Sequence, residues 1–296
     1  MEEYGTTGVY VSYSGGKDST VLMDIVRKEY PRIPAVFVDT WMEYPQIRSF
    51  VKRYENVVTL KPVMGLKEII KQYGWCFPSK DVAQAIWYAR QGKKWAINKL
   101  HGLDREGKKS EYRQQYIKWL PLYESELLIS PYCCIKQKEE PVALYEKQTG
   151  RHPILALMAE ESARRKEAYL RTGCNSFESE RPLSKPMGFW TEQNVLQYKI
   201  QNQIEIAEPY GEVVEEGQVQ GQLSFVLPGG KLKCTGEQRT GCMFCPVGCH
   251  LTDFAKFKRL KAYNPRLYDF CMEELGEREM LEWVERNYTR GRKLAA

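Results

Sequence analysis

Histidine is almost missing from this chain, with three in 296 residues. Chemistry built on a histidine general base is therefore not expected. Long apolar runs are missing too. No stretch approaches the roughly 20 residues that cross a bilayer, and the opening MEEYGTTG lacks the basic and apolar regions of a secretory signal. No membrane partner and a cytoplasmic location are the expectations. There is no G-x-x-x-x-G-K-[ST] spacing, which excludes a Walker A phosphate loop, and no internal repeat, which excludes a solenoid. The nine cysteines are an odd number, a poor fit to a closed disulfide framework. Clustered cysteines in a reducing compartment point to metal or redox chemistry instead.

What is present suits a soluble globular chain, with 43% apolar and 28% charged residues. The length fits one large domain, or one domain plus a smaller module. Charge is unevenly placed. Residues 79–119 carry ten Lys or Arg against four Asp or Glu, a surplus that matches the net +6 of the whole chain. The segment interleaves those cations with Trp87, Tyr88, Trp95, Tyr112, Tyr116 and Trp119. Cations for phosphates and flat rings for bases suit single-stranded nucleic acid. An amphipathic helical insertion with its rings turned inward is the competing reading, and helical spacing favours it for Trp87 and Trp95.

The first 75 residues alternate strand and helix patterns. Val9–Ser12, Ala35–Val38 and Val57–Leu60 read as strands, and Asp18–Glu29, Tyr44–Tyr54 and Leu66–Tyr73 as helices. That order predicts an α/β, doubly wound parallel sheet. Helices are expected within 79–125, a strand at Pro153–Met158, and helices at Glu160–Thr172 and Thr191–Gln201 with Thr191 as N-cap. Residues 207–233 read as a strand-poor connection or a small hairpin with a turn at 228–230. A helical pattern runs from Asp253 to Asn287 and then a frayed tail. The expected partition is an α/β domain over 1–227, with a basic helical insertion at 79–125, and a cysteine-rich helical module over 228–296.

Between the first strand and the first helix lies Ser14-Gly15-Gly16-Lys17-Asp18-Ser19. Adjacent glycines let the backbone turn sharply and aim successive N–H groups at an anion, and the helix N-terminus adds its dipole. Ser14 and Ser19 offer hydroxyl groups and Lys17 a charge. This is a phosphate cradle. Asp39 directly follows the second strand, at the sheet edge where ligands of such folds bind; capping of the next element is its alternative use.

The cradle resembles the SGGxDS loop of the PP-loop superfamily, the N-type ATP pyrophosphatases and their relatives. The chain as a whole resembles the phosphoadenosine phosphosulfate (PAPS) reductase family. After SGGKDS come Phe37-Val38-Asp39-Thr40 with Glu43-Tyr44-Pro45, where Trp41 replaces a usual glycine. Cys133-Cys134 follows, with Lys136, Lys138 and Pro141, and then Met158 through Arg165 with Gly173-Cys174-Asn175. Pro186 through Thr191 and Arg239-Thr240-Gly241-Cys242-Met243-Phe244-Cys245 complete the set. The resemblance implies an adenine nucleotide α-hydrolase-like fold, nucleotide phosphates on Ser14–Ser19, and Asp39 near the nucleotide or a Mg2+ ion. It also implies an anionic substrate group near Arg165, for which a guanidinium is suited. Of Arg164 and Arg165, one is expected on a solvated helix face. Lys17, Asp39 and Arg165 are the candidate catalytic residues.

The double cysteine and the distant C-x-x-C are similar to those that hold a [4Fe–4S] cluster in the adenylyl-sulfate-reducing branch, which implies Cys133, Cys134, Cys242 and Cys245 as ligands. A local zinc or iron–sulfur knuckle of Cys234, Cys242, Cys245 and Cys249 stays open beside it. Cys76, Cys174 and Cys271 are assigned to packing, and His250 to a structural place. The stretch ERNYTRGRKLAA has no cysteine, unlike the mobile "ECGxH"-like segment of sulfonucleotide reductases, so reduction by that route is not expected. Three functions remain. The first is sulfonucleotide or sulfur-transfer chemistry with a [4Fe–4S] cluster, on ATP, PAPS or adenylyl sulfate, with a thiol or electron-donor protein as partner. The second is an ATP pyrophosphatase that adenylates a nucleic acid or a metabolite, with structural zinc. The third is a non-catalytic, nucleotide-responsive nucleic-acid-binding protein.

Overall fold

The computed structural model describes residues 2–216 and 230–288. In chain order the elements begin with β1 (Val9–Ser12), α1 (Lys17–Glu29), β2 (Ala35–Val38), α2 (Pro45–Val51) and β3 (Val57–Leu60). Then come α3 (Leu66–Tyr73), α4 (Lys80–Arg90), α5 (Lys94–Leu100), α6 (Leu120–Glu124), α7 (Tyr132–Cys134) and α8 (Glu140–Thr149). They are followed by β4 (His152–Ile154), α9 (Ala163–Thr172), β5 (Asn175–Ser176), β6 (Leu183–Ser184) and α10 (Glu192–Gln201). The last are β7 (Val213–Glu215), β8 (Leu232–Cys234), α11 (Ala255–Tyr263), α12 (Pro265–Asp269) and α13 (Glu277–Tyr288). The chain divides into two compact units, Met1–Lys61 with Pro141–Gly241 and Pro62–Glu140 with Cys242–Ala296. The basic segment and the C-x-x-C both fall in the second.

The first unit is α/β. Its six-stranded sheet runs β3-β2-β1-β4-β6-β5, parallel throughout except for β5, which is antiparallel to β6. Alternation along β1 sorts the core onto two faces. Val9 and Val11 join Val21, Leu22, Ala35, Phe37 and Leu196 on one face, while Tyr10 joins Val36 and Tyr145 of α8 on the other. The sheet is thus covered on both sides, as a doubly wound sheet requires. The chain proceeds from β1 outward to β3, then returns to place β4 on the other side of β1. Strand order reverses between β1 and β4, and open α/β sheets bind their ligands at such a switch point.

Local expectations fared unevenly. Thr191 caps α10 through a capping box with Asn194. The expected strand at Pro153–Met158 is shorter: it ends at Ile154, with Leu155 N–H still donating to the Ser184 carbonyl at 2.8 Å, and Met158 N–H beyond it donates to Glu161 Oε2 at 3.1 Å. The helix expected at Glu160–Thr172 is broken into a 3-10 turn, Ala159–Glu161, and α9, because Ser162 is extended and caps α9 by accepting from Arg165 N–H. The helix expected at Tyr44–Tyr54 spans only Pro45–Val51. The hairpin suggested within 207–233 exists as β7 paired with β8; residues 228 and 229 of its expected turn, and the tail, lie outside the described residues.

The second unit is helical. Ser79 caps α4. Arg90, at the end of α4, donates to the carbonyls of Leu122, Tyr123, Ser125 and Leu127, stitching α4 to the end of α6. Tyr116 and Lys99 both bond the Asp81 carboxylate. Trp119 is buried against Phe77, His250 and Tyr288, and Trp87 packs edge-on to Tyr73 and Tyr132. Much of the basic aromatic segment is therefore spent on its own fold, while Trp95 and Tyr112 stay exposed. No described helix is long and apolar enough to cross a membrane.

Candidate active site and candidate metal centre

The loop after β1 is built as the sequence predicts. Gly15 sits at φ +70°, a left-handed conformation that glycine adopts without cost. A Cβ there would meet the Ile47 and Val51 methyl groups of α2 at 2.8 Å. Gly16 is the N-cap of α1, and a Cβ on it would stand 3.0 Å from the Tyr210 hydroxyl. Tyr210 shares a 2.7 Å hydrogen bond with Thr240, so these two side chains lie beside the loop at its tightest point. The loop's polar groups satisfy one another. Gly16 N–H donates to Ser14 Oγ, Ser14 N–H donates to Ser19 Oγ, and Ser19 Oγ donates to the Gly16 carbonyl.

Lys17 is buried at 3% exposure. Its ammonium donates to the Gln238 carbonyl at 2.9 Å and pairs with Glu192 at 3.0 Å and Asp18 at 3.7 Å. Burial works against its charge, but Asp18 and Glu192 outweigh it and raise its pKa. Burial raises the Asp18 pKa from its ordinary value, against the pull of Lys17. Among the described residues its Oδ1 is buried without a hydrogen-bond donor.

Across the switch point, the chain after β4 delivers Arg165 in the first turn of α9. Arg165 pairs with Glu161, and Arg239 reaches the same carboxylate at 3.7 Å. Burial lowers the Arg165 pKa, and repulsion from Arg239 lowers it further. Two guanidinium groups are thus brought together over one carboxylate, an arrangement that an added oxyanion would stabilise. Arg164, its neighbour, is exposed.

Asp39 lies beyond β2, where Arg48 grips it with two bonds, Nε to Oδ1 at 2.7 Å and Nη2 to Oδ2 at 2.9 Å. It also accepts the Trp41 N–H at 3.2 Å. Burial raises its pKa, but Arg48 and the Trp41 amide more than offset this, so the carboxyl is held below its ordinary value. The Asp39–Arg48 pair therefore stabilises the fold fully above the unfolded carboxyl pKa of about 4 and is lost as pH falls through the lower folded value. Urea unfolding at pH 7 and pH 3 checks this: Asp39→Asn is less stable than the wild type at pH 7, and the gap narrows at pH 3.

None of the nine cysteines is paired in a disulfide. In the second unit, Cys133 is within electrostatic reach of Cys134, Cys242 and Cys245, the four expected together; burial first, and then these neighbours and Glu277, push its thiol up. Cys245 is pushed up to about 12 by burial and by Cys242. Cys134 is held down to about 6 by a hydrogen bond with Cys76 and by Lys80 and Lys138, against its own burial. Cys76, assigned to packing from sequence, is buried as expected, and it also lies in reach of Cys134, Cys245 and Cys133. Cys234 lies in the first unit, and the groups acting on it are Lys17, Glu192, Asp18 and Lys199. Cys249 is buried, influenced by Glu277 and Cys245. His250 is wedged edge-on between Phe77 and Trp119. Among the described residues no group of three or more His, Cys, Asp or Glu is placed to hold a metal ion. The donor set nevertheless suits an iron–sulfur cluster in kind. A cubane takes each thiolate on its own iron and spreads the ligand sulfurs wider than one tetrahedral ion does. Glu277, within electrostatic reach of Cys133, is fully buried, and among the described residues neither of its oxygens has a hydrogen-bond partner.

Sequence reasoning missed Tyr210 and Glu192 beside the glycine loop and Arg48 on Asp39, and cited Arg239 and Thr240 only as parts of a motif. None of the five is marked by local pattern, because each meets its partner through tertiary contact.

Among solved structures, a PAPS reductase from Candida auris in a phosphate complex is 16% identical, covering 68% of this chain and 75% of its own, with a TM-score of 0.38. An FMN adenylyltransferase from Candida glabrata is 11% identical, covering 71% of this chain and 52% of its own, with a TM-score of 0.35. No curated protein matches. The phosphoadenosine phosphosulfate reductase domain model matches residues 8–251. With a model that spans most of its length, the chain belongs to the phosphoadenosine phosphosulfate reductase domain family, and so to the sulfonucleotide-related enzymes.

Proposed function

We propose that the protein is an enzyme that binds an adenine nucleotide on Ser14–Ser19 and carries out sulfonucleotide or sulfur-transfer chemistry, with a [4Fe–4S] cluster on Cys133, Cys134, Cys242 and Cys245. The observation that carries the nucleotide half is the meeting of Arg165 and Arg239 beside the glycine loop, at the reversal of strand order. A sulfate or phosphate there accepts from both guanidinium groups and relieves their mutual repulsion. The backbone N–H groups at Gly15, Gly16 and Lys17 and the hydroxyl groups of Ser14 and Ser19 exchange their internal bonds for phosphate oxygens. Lys17, already shared between Asp18 and Glu192, anchors the loop and lends part of its charge. Asp39 holds Arg48 and the Trp41 turn in place at the same sheet edge. Cys133, Cys134, Cys242 and Cys245 would hold the cluster, which would supply an electrostatic hold on the substrate, or an open iron for sulfur once one of the four thiolates had left it.

Anaerobic isolation with assay of iron, acid-labile sulfide and zinc tests the cluster. About four irons and four sulfides per chain are expected, lost in Cys134→Ala and Cys242→Ala. One zinc and no sulfide overturns it. Pyrophosphate release from ATP without sulfur transfer would then mark an ATP pyrophosphatase.

A further inference from the structure

We infer that Trp41 is the stacking platform for the adenine ring of the bound nucleotide. Its backbone lies at φ +65°, a conformation costly for a side chain of this size and one that persists where surroundings impose it. The surroundings here do so. Asp39 accepts the Trp41 N–H, and Thr40 donates both its N–H and its hydroxyl to Glu43. Thr40, Met42 and Glu43 are all buried, whereas Trp41 is 67% exposed. The turn thus inverts one residue in a buried run and drives its indole outward.

The ring is also held from one side. The Arg48 guanidinium carbon lies 3.8 Å from its centroid, and Arg48 is fixed by its two bonds to Asp39. A cation under an indole is a favourable pairing, and it fixes the tilt of the ring. With one face on Arg48 and two thirds of the residue in solvent, the opposite face is open. An oriented, half-covered aromatic plane is what a flat heterocycle stacks on.

Position selects the occupant. Strands β1 and β2 are hydrogen-bonded neighbours, with Ser12 opposite Val36, and parallel neighbours lie about 4.8 Å apart. The phosphate loop leaves β1 and the Trp41 turn leaves β2 at the same edge. A nucleotide whose phosphates sit on Ser14–Ser19 therefore has a ring platform one strand away. This inference rests on the cradle being a nucleotide site, and it adds the residue that reads the base.

Titration calorimetry of the full chain with ATP, AMP and tripolyphosphate separates the two readings. In Trp41→Ala, ATP and AMP affinities are expected to fall roughly ten- to a hundredfold, with tripolyphosphate unchanged. Trp41→Phe retains affinity to within about threefold, since a ring remains. Trp41→Gly removes both ring and strain, so it loses affinity while melting no lower than the wild type. If Trp41→Ala binds ATP like the wild type, the platform is overturned and the cradle stands. If wild-type protein binds tripolyphosphate as well as ATP, or binds no adenine nucleotide, the nucleotide reading itself falls.

Discussion

Arg165→Ala weakens binding of the anionic nucleotide by roughly ten- to a hundredfold, because a hydrogen bond to a charged group contributes about 1.5–3 kcal/mol. Arg239→Ala is expected to do the same. The double variant loses less than the two losses multiplied, because each single change also frees the remaining guanidinium from its repelling neighbour. Stability responds little. The Arg165 side chain is 39% exposed, and a pair of that kind contributes about 0.5 kcal/mol to folding. Arg165→Lys recovers only part of the affinity, since an ammonium cannot form two parallel bonds to one oxyanion. Calorimetry with adenylyl sulfate and ATP, next to a melting curve for each variant, measures both effects. Undiminished affinity in Arg165→Ala would remove this arginine from the site.

Gly15→Ala carries the largest expected loss of stability. The left-handed backbone at φ +70° costs a non-glycine residue about 1–2 kcal/mol. The new methyl group would also stand 2.8 Å from Ile47 Cγ2 and Val51 Cγ2. Both side chains are fully buried, so α2 must shift, at a further cost of about 1–3 kcal/mol. The sum corresponds to a fall in melting temperature of roughly 5–15 °C. Gly92→Ala is the control. Its φ is +75° and nothing lies within 4 Å of the added atom, so it pays the backbone cost alone. Equal melting of the two variants would show that α2 yields freely and that the loop is less tightly seated than its contacts imply. Nucleotide binding in Gly15→Ala is expected to be lost even below its melting temperature, because the N–H groups of the cradle no longer converge.

The parts legible in the sequence are those whose cause is local. A glycine pair between an apolar run and an amphipathic one specifies strand, turn and helix within a dozen residues, and Thr191 three places before Asn194 specifies a cap. The parts not legible depend on distant partners. Arg239 meets Arg165 only because both are carried to Glu161. Cys76 reads as a buried hydrophobe until the fold sets it against Cys134. The strand at His152–Ile154 stops early although PILALM is apolar to its end, because the backbone beyond is needed for the turn into Ala159–Glu161. The antiparallel β5 has two residues, too few to leave a periodic signal.

The placement of β4 has a consequence for how the chain is made. Strand β1 lies between β2 and β4 in the finished sheet, yet residues 61–151 separate Leu60, the end of β3, from His152, the start of β4. At about 5–20 residues per second, a ribosome needs roughly 5–18 seconds to deliver that stretch. During that interval the nascent chain carries a strand that ends up buried, VYVS, as an open edge, the kind of surface on which other chains pair. Only the first segment of the helical unit, Pro62–Glu140, emerges in that interval, the rest following from Cys242 after β4, so the half-built sheet must be shielded until its missing neighbour leaves the exit tunnel.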